Sequence, residues 1–180
     1  MVRDPHLGTG ISKGFVVDWG QLSASQVRHH RPDAVVVFIG ANEGFPMPGP
    51  GGGELRCCGP EWAAVYANRA RRLAETYRQR GAAHVYWITL PAARDQDRLP
   101  ISRAVNAAIE VAAQPWRAQV HLIDTEPVFT PGGYRDAMTV GGRRTIVRAP
   151  DGIHLNEAGS KLLADMVLGR IGQHRTYKEG

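Results

Sequence analysis

The stretch AVVVFIGANE, residues 34–43, largely decides which fold the chain can adopt. Its first six residues are apolar and mostly β-branched, which is typical of a strand buried on both faces of a parallel sheet. The apolar run stops at Gly40, and the polar residues Asn42 and Glu43 follow almost at once. Ligands of parallel α/β sheets bind beyond the carboxyl ends of the strands, so this turn is a candidate place for chemistry.

Helical and strand-like patterns alternate after this run. Apolar residues at helical spacing predict three helices, and short apolar runs predict two further strands. The predicted helices cover 61–80 with Gly81 as the C-cap, a segment opened by Pro100, and a segment capped by Asn156 that runs through 171; the strands cover 84–90 and 120–124. The sequence therefore predicts one α/β domain, residues 1–180, with a mostly parallel sheet.

Two long segments rich in glycine and proline interrupt the alternation, at residues 45–60 and 131–150. Loops of this length inside a compact domain are usually functional or mobile. Within the second loop, Gly141-Gly142 can turn a hairpin into residues 145–148. We expect both loops to border the binding site and to set substrate choice.

Composition excludes several classes of protein. The chain has 180 residues, of which 43% are hydrophobic, and its longest apolar run is far shorter than the roughly 18 residues of a membrane-spanning helix. The net charge is +5, yet only three of the 22 basic residues are Lys. The densest Arg cluster, within residues 69–80, has the spacing of the solvated face of one helix rather than of a nucleic-acid footprint. We expect no nucleic-acid partner and no transmembrane segment.

Metal and cofactor signals are missing as well. Cys57 and Cys58 are adjacent, and neighbouring cysteines rarely bridge each other because the geometry is strained. The seven His residues are scattered without the spacing of zinc ligands. A nucleotide- or flavin-binding module is a competing interpretation, but no GxGxxG follows a strand and no GxxxxGK[ST] occurs. We therefore expect neither a metal ion nor an organic cofactor.

The motif DGIH, residues 151–154, is the first candidate for catalysis. A carboxylate three residues before an imidazole in a turn can reach its Nδ1–H, which fixes the tautomer and leaves Nε2 free as a base. Asp151 and His154 would then be an acid–base pair. The alternative for such an isolated motif is an Asp-Gly turn followed by a partly buried His near a helix start.

Asn42 and Gly10 each have two interpretations. The Asn42 amide can point at a developing oxyanion, or it can merely bond its own backbone at the end of a strand. The bare backbone of Gly10 can present its N–H to the same oxyanion, or the residue can serve only as a turn glycine. Taken alone, neither residue decides the function.

The order and spacing of these motifs resemble the SGNH hydrolases, also called the GDSL esterase/lipase family. The similarity looks closest to a bacterial subfamily of uncharacterised SGNH proteins and covers about residues 7–171. Its motifs correspond here to Thr9-Gly10-Ile11, Asp18-Trp19, Gly40-Ala41-Asn42-Glu43, Leu90-Pro91-Ala92-Ala93-Arg94 and Arg148-Ala149-Pro150-Asp151-Gly152-Ile153-His154.

The resemblance implies a flavodoxin-like, three-layer α/β/α fold that hydrolyses an ester or similar acyl bond. The substrate would be a small-molecule, lipid or sugar ester. Asp151 and His154 would be the acid and base of the triad, and Gly10 and Asn42 would supply two of three oxyanion donors. Glu43 stands where the family more often has Asp. Arg94, near a strand end, is a candidate substrate contact.

The family's nucleophile lies in a Gly-Asp-Ser motif at the end of the first strand, and no such motif occurs in this sequence. The resemblance therefore implies that the first strand, the serine turn and the first helix are missing from these residues. Three explanations stay open: a late start or trimmed segment, a non-catalytic descendant that binds an acyl or carbohydrate ligand, or a serine from elsewhere in the chain. The available serines are Ser12, Ser23, Ser25, Ser102 and Ser160.

None of these serines follows a strand in the turn that such a nucleophile requires, and Ser12 is interpreted as a solvent or turn residue. Met1 leads into Val-Arg-Asp-Pro, so the sequence as written predicts no signal peptide and a cytoplasmic protein. An exported protein is expected instead if an upstream segment carries a signal. Nothing in the sequence predicts the oligomeric state.

Overall fold

The computed structural model describes the backbone of residues 1–176 and the side chains through residue 173. Three of its strands form a parallel sheet in the order β1-β4-β5, and the other four form two small antiparallel pairs. In chain order the elements are α1 (Trp19–His30), β1 (Ala34–Val37), β2 (Met47–Pro48), β3 (Glu54–Leu55), α2 (Pro60–Tyr77), β4 (His84–Ile88), α3 (Leu99–Ala113), β5 (Val120–Ile123), α4 (Glu126–Phe129), β6 (Ala137–Val140), β7 (Arg143–Ile146) and α5 (Glu157–Thr176).

The central strand β4 sets the register of the parallel sheet. Val35 of β1 pairs with Val85, and Val85 pairs with Val120 of β5. Just beyond the strands, Thr125 donates its N–H to Thr89 Oγ1 and its hydroxyl to the Thr89 carbonyl, both at 3.0 Å. These bonds tie the carboxyl ends of β4 and β5 together, which is where the sequence predicted the chemistry to lie.

Helices cover both faces of the sheet. On one face α2 and α3 pack against the strands, with Trp62, Trp87 and Ile109 completely or almost completely buried. On the other face α5 packs Leu163 and Val167 against a second cluster that includes Phe129. The predicted three-layer α/β/α fold with a mostly parallel sheet is confirmed.

Strand β1 departs from the prediction that it is buried on both faces. The side chains of Val36 and Phe38 are 45% and 48% exposed, whereas Val37 is buried against the α2–α3 layer. The reason is coverage: α5 packs on side chains of β4 and β5, and no β1 residue belongs to that cluster among the described side chains of residues 1–173. The outer edge of β1 also pairs with no strand among the described residues.

Several predicted boundaries shift. Helix α2 ends at Tyr77 with Arg78 as its C-cap, and residues 79–81 form a 3₁₀ turn, so Gly81 is not the cap. Helix α1 was not predicted because it has few apolar residues; the Asp18 carboxylate caps it by accepting the Gln21 N–H at 3.0 Å. Its polar sequence obscures the helical period.

The two glycine-rich loops contain short hairpins. Residues 45–60 carry the β2–β3 pair, which the sequence did not indicate. The second loop turns at Gly141-Gly142 between β6 and β7, as predicted. Cys57 and Cys58 form a disulfide, contrary to expectation, and the peptide bond between them is cis. Within the described residues no helix is both long and apolar enough to cross a bilayer.

Gly159 in the first turn of α5 offers a test of how this helix is seated. A Cβ there would press against the Val147 carbonyl, which is backbone and cannot move aside. Gly159→Ala is expected to lower the free energy of unfolding by about 1–3 kcal/mol, measured by urea denaturation. The matched control is Gly169→Ala in the same helix, where a Cβ meets nothing within 4 Å. That change should stabilise by up to about 1 kcal/mol, and equal effects of the two would contradict the close seating of α5.

Candidate active site

Asp151 and His154 form a hydrogen-bonded pair in the turn before α5. His154 Nδ1 lies 2.6 Å from Asp151 Oδ2. The other carboxylate oxygen accepts the backbone N–H groups of Ile153 at 2.8 Å and His154 at 3.0 Å. The carboxylate is thus held from two sides, and the imidazole is oriented by its partner as the DGIH motif predicted.

Electrostatics decide which nitrogen of His154 carries the proton. The hydrogen bond from His154, followed by those from the two backbone N–H groups, holds the pKa of Asp151 well below its usual range. An ionised carboxylate can only accept, so neutral His154 carries its proton on Nδ1 and keeps a lone pair on Nε2. The two side chains are 61% (His154) and 45% (Asp151) exposed, which leaves Nε2 accessible as a base.

The turn that carries this pair packs tightly against the segment leaving β4. Gly152 has φ +71°, and a Cβ at this position would lie 2.6 Å from the Cβ of Arg94. The Arg94 N–H donates to the Gly152 carbonyl at 2.9 Å. A side chain at residue 152 would force the two segments apart, so the glycine of DGIH allows the close approach.

Arg94 lies on the rim beside this turn. Its guanidinium donates to Asp136 Oδ1 at 2.9 Å, to the Pro150 carbonyl at 3.0 Å and to the Tyr134 hydroxyl at 3.2 Å. About half of the Arg94 side chain is exposed. These bonds fix its position, and its contact with substrate stays a prediction.

A buried carboxylate organises the Gly10 loop. Glu43 is only 4% exposed, and it accepts the N–H groups of Ile11 at 2.6 Å and Ser12 at 2.8 Å. It also accepts the hydroxyl of Ser12 and that of Tyr66, the latter at 3.0 Å. Burial, together with the charge of Glu43 and the bond to it, raises the pKa of the Tyr66 hydroxyl. The longer side chain of Glu43 thus joins the GANE turn to the loop that follows Gly10.

The expectation that Ser12 is a solvent or turn residue is wrong as regards solvent. Ser12 is buried, and its hydroxyl donates to Glu43 and accepts the Phe45 N–H at 3.3 Å. In the sequence, the sign of this arrangement was Glu43, which stands where the family more often has Asp. Tyr66 gave no signal, because it has the spacing of an ordinary core residue of α2.

The candidate oxyanion donors are the Gly10 N–H and the Asn42 amide; Gly10 is buried and Asn42 is half-buried. No hydrogen bond within the described part of the chain engages either group. The bonds around them fix the backbone instead: Glu43 N–H donates to the Gly40 carbonyl at 3.2 Å, and Arg98 donates to the Ala41 carbonyl. Asn42 therefore does not bond its own backbone, which was the alternative left open by the sequence.

The two halves of the candidate site, the GANE turn and the DGIH turn, both pack against the segment 90–94, which forms the wall of the site. Leu90 lies against Gly40 at one end of the segment 90–94, and Arg94 binds Gly152 at the other. Asp151 and His154 are brought together directly, and Glu43 ties the loops carrying Gly10 and Asn42. Within the described part of the chain, no hydrogen bond connects His154 with Gly10 or Asn42.

The described serines do not bond to His154. Ser12 bonds Glu43, Ser23 and Ser102 bond carbonyls of their own helices, and Ser25 faces His29. Ser160 lies within α5. In the part of the chain that the structure describes, no three His, Cys, Asp or Glu side chains are grouped to hold a metal ion.

Comparisons with known proteins place this geometry in a family. Residues 1–170 match the model of a family described as "Protein of unknown function (DUF459)". The chain belongs to this family. The DUF459 chain is also similar to the solved structure of a lipase/acylhydrolase from Enterococcus faecalis, with a TM-score of 0.56 and 21% identity over 93% of this chain and 72% of that chain.

A second solved structure, a candidate platelet activating factor from Streptococcus pneumonia, has a TM-score of 0.46 and 15% identity over 84% of this chain and 67% of that chain. That likeness carries no argument, and the one to the acylhydrolase establishes the fold alone. A comparison with curated proteins found no match. The DUF459 chain therefore has the fold of the SGNH-like hydrolases, and the narrower subfamily stays a prediction.

The Glu43 cluster of the DUF459 chain can be tested by stability. Glu43→Gln keeps the shape but places an amide NH₂ against donors, so buried N–H or O–H groups lose their acceptor. We expect the free energy of unfolding to fall by about 1–3 kcal/mol in urea denaturation. The control Glu110→Gln on the exposed face of α3 should change it by less than about 0.5 kcal/mol. Equal small effects would show that the cluster does not hold the Gly10 loop.

The Asp151 contacts predict a pH dependence. The folded-state pKa of Asp151 is depressed, so its stabilisation is present above the ordinary value of 3.8 and is lost as the pH falls toward the folded-state pKa. Asp151→Asn should therefore destabilise the protein at pH 5–7, and the difference from wild type should shrink below about pH 4. Urea denaturation across this range measures it. A difference that is independent of pH would contradict a charge-assisted pair.

Proposed function

We propose that this DUF459 chain belongs to a serine-type hydrolase that cleaves ester or similar acyl bonds, with no metal or organic cofactor in the reaction. The observation that carries the proposal is the Asp151–His154 pair, whose tautomer leaves Nε2 free on an accessible surface. The unengaged Gly10 N–H and Asn42 amide support it, because they match the oxyanion donors implied by the family resemblance.

The chemistry follows ordinary acyl transfer. A serine hydroxyl attacks the ester carbonyl while His154 Nε2 takes its proton, and Asp151 stabilises the imidazolium that forms. The Gly10 N–H and the Asn42 amide stabilise the oxyanion of the tetrahedral intermediate. His154 then returns the proton to the leaving alcohol, and a water molecule repeats the sequence to release the acid. One donor of this kind contributes roughly a hundred- to a thousandfold to turnover.

The serine nucleophile is proposed to lie on a strand that precedes these 180 residues and pairs with the outer edge of β1. Two observations favour this place. The β1 edge has no strand partner among the described residues, and Val36 and Phe38 expose an apolar face that parallel sheets normally cover. A strand added in parallel would end at the same side of the sheet as Gly40, beside the GANE turn.

The proposed substrate is a small-molecule, lipid or sugar ester. Its alcohol or acyl group would lie along the rim formed by Arg94 and Tyr134 and by the loops at 45–60 and 131–150. The second candidate function is ligand binding without catalysis. It is favoured by the lack of any hydroxyl partner for His154 among the described residues.

A fluorophosphonate probe with intact-mass spectrometry tests the proposal. We expect no adduct on the folded 180-residue chain and one adduct on the product of the extended coding region, located on an upstream serine. His154→Ala should abolish that adduct by removing the base, whereas His29→Ala on the exposed face of α1 should leave it unchanged. Asn42→Ala should slow hydrolysis of a p-nitrophenyl ester by about 100-fold or more.

The other outcomes are equally informative. An adduct on one of the serines within residues 1–180 would overturn the upstream nucleophile and keep the hydrolase. Absence of both adduct and hydrolysis in the extended protein would overturn the hydrolase and leave ligand binding.

A further inference from the structure

Arg148 is a buried cation that the proposed mechanism does not use. The residue is only 2% exposed, and it lies three positions before Asp151. Burying a guanidinium is costly unless its N–H groups find partners. Among the described side chains, residues 1–173, no carboxylate lies at ion-pair distance from Arg148, and its Nε and Nη1 have no hydrogen-bond partner. Such an expensive group needs a structural reason.

The partners of Arg148 Nη2 show where its bonds are directed. It donates to the Ala92 carbonyl at 2.9 Å, to the Ile153 carbonyl at 3.0 Å and to the Gly152 carbonyl at 3.3 Å. The first belongs to the segment that leaves β4, and the other two lie between Asp151 and His154. One nitrogen therefore joins the wall of the site to the turn that carries the acid–base pair.

An aromatic ring supports the guanidinium. Arg148 Cζ lies 5.0 Å from the centre of the Tyr134 ring, and Arg94 Cζ lies 5.4 Å from the same ring. The ring quadrupole compensates part of the positive charge of a nearby guanidinium. The Tyr134 hydroxyl donates to Asp136 at 2.6 Å, which holds the ring in place. Tyr134, near the start of the 131–150 loop, thus braces Arg148 near its end.

We propose that Arg148 is a positioning residue that holds Asp151 and His154 in their hydrogen-bonded arrangement. The proposal rests on the proposed function, since it gives a role to the same acid–base pair. The Nη2 contacts keep the carbonyls of residues 152 and 153 turned inward, so the N–H groups of Ile153 and His154 point at the Asp151 carboxylate. Arg148 touches neither reacting atoms nor His154 Nε2, and it acts only through the turn.

Arg148→Lys separates this geometry from charge. Lysine keeps the positive charge, but its chain ends one bond short of the Arg Nη atoms, so it cannot reach all three carbonyls. The matched control is Arg135→Lys in the same loop, because Arg135 also donates to two carbonyls, those of Val128 and Phe129, away from the pair. Both variants lose bonds of the same type.

The readout is the Asp151 carboxyl titration by ¹³C NMR, together with the His154 Nδ1–H resonance. In Arg148→Lys we expect the Asp151 titration to move up by about one pH unit and the Nδ1–H resonance to weaken. Arg135→Lys should leave both as in wild type. A general loss of stability would not produce this difference between the two variants.

A second pair of variants serves if Arg148→Lys does not fold. Tyr134→Leu removes the ring that braces the guanidinium and should shift the Asp151 titration in the same direction, whereas Tyr134→Phe keeps the ring and should shift it less. Titrations that stay at the wild-type position in Arg148→Lys, or in Tyr134→Leu when the former is unfolded, overturn the positioning role. A shifted titration in a protein that neither reacts with fluorophosphonate nor hydrolyses esters would keep the positioning role and reject the hydrolase.

Discussion

The segment 90–94, which leaves the central strand, must satisfy its polar backbone away from the sheet ladder. Asn106 does so at one end by accepting the Leu90 N–H at 2.8 Å and donating to its carbonyl at 2.9 Å. Further along, Thr130 accepts the Ala92 N–H and Arg148 donates to the Ala92 carbonyl. A buried backbone group without a partner costs about 1–3 kcal/mol, so these side chains are required. The segment is thereby fixed as a wall against which both halves of the candidate site pack.

Each half of the site is then built around one charged side chain that binds several backbone groups. On one side the Glu43 carboxylate collects N–H groups of residues 11 and 12, and this shapes the loop that carries Gly10. On the other side Arg148 collects carbonyls of residues 92, 152 and 153, and this shapes the turn that carries His154. The two arrangements are complementary, because an anion orients donors and a cation orients acceptors.

The solvent exposure of one face of β1 differs in kind from the solvent exposure of the acid–base pair. Apolar side chains such as Val36 and Phe38 gain nothing from contact with water, whereas an exposed imidazole such as that of His154 can exchange protons. The first exposure arises because α5 covers β4 and β5 and not β1, and in the proposed function the second lets His154 act as a base. In the proposed function, the nucleophile is assigned beside β1 because the outer edge of this strand is unpaired among the described residues.

The sequence by itself determined the features that depend on local spacing. The apolar run before Gly40 predicted a strand, and the three-residue spacing in DGIH predicted that Asp151 reaches His154, since both depend on contacts between near neighbours. Tertiary structure decided the rest. The hydrogen bonds of Glu43 reach backbone groups that lie 31 and 32 positions away in the sequence, and the Arg148–Ala92 bond spans 56 positions. The exposure of Val36 depends on which helices cover the sheet. No periodicity along the chain encodes contacts at such separations, because they form only once helices and loops have packed around the parallel strands.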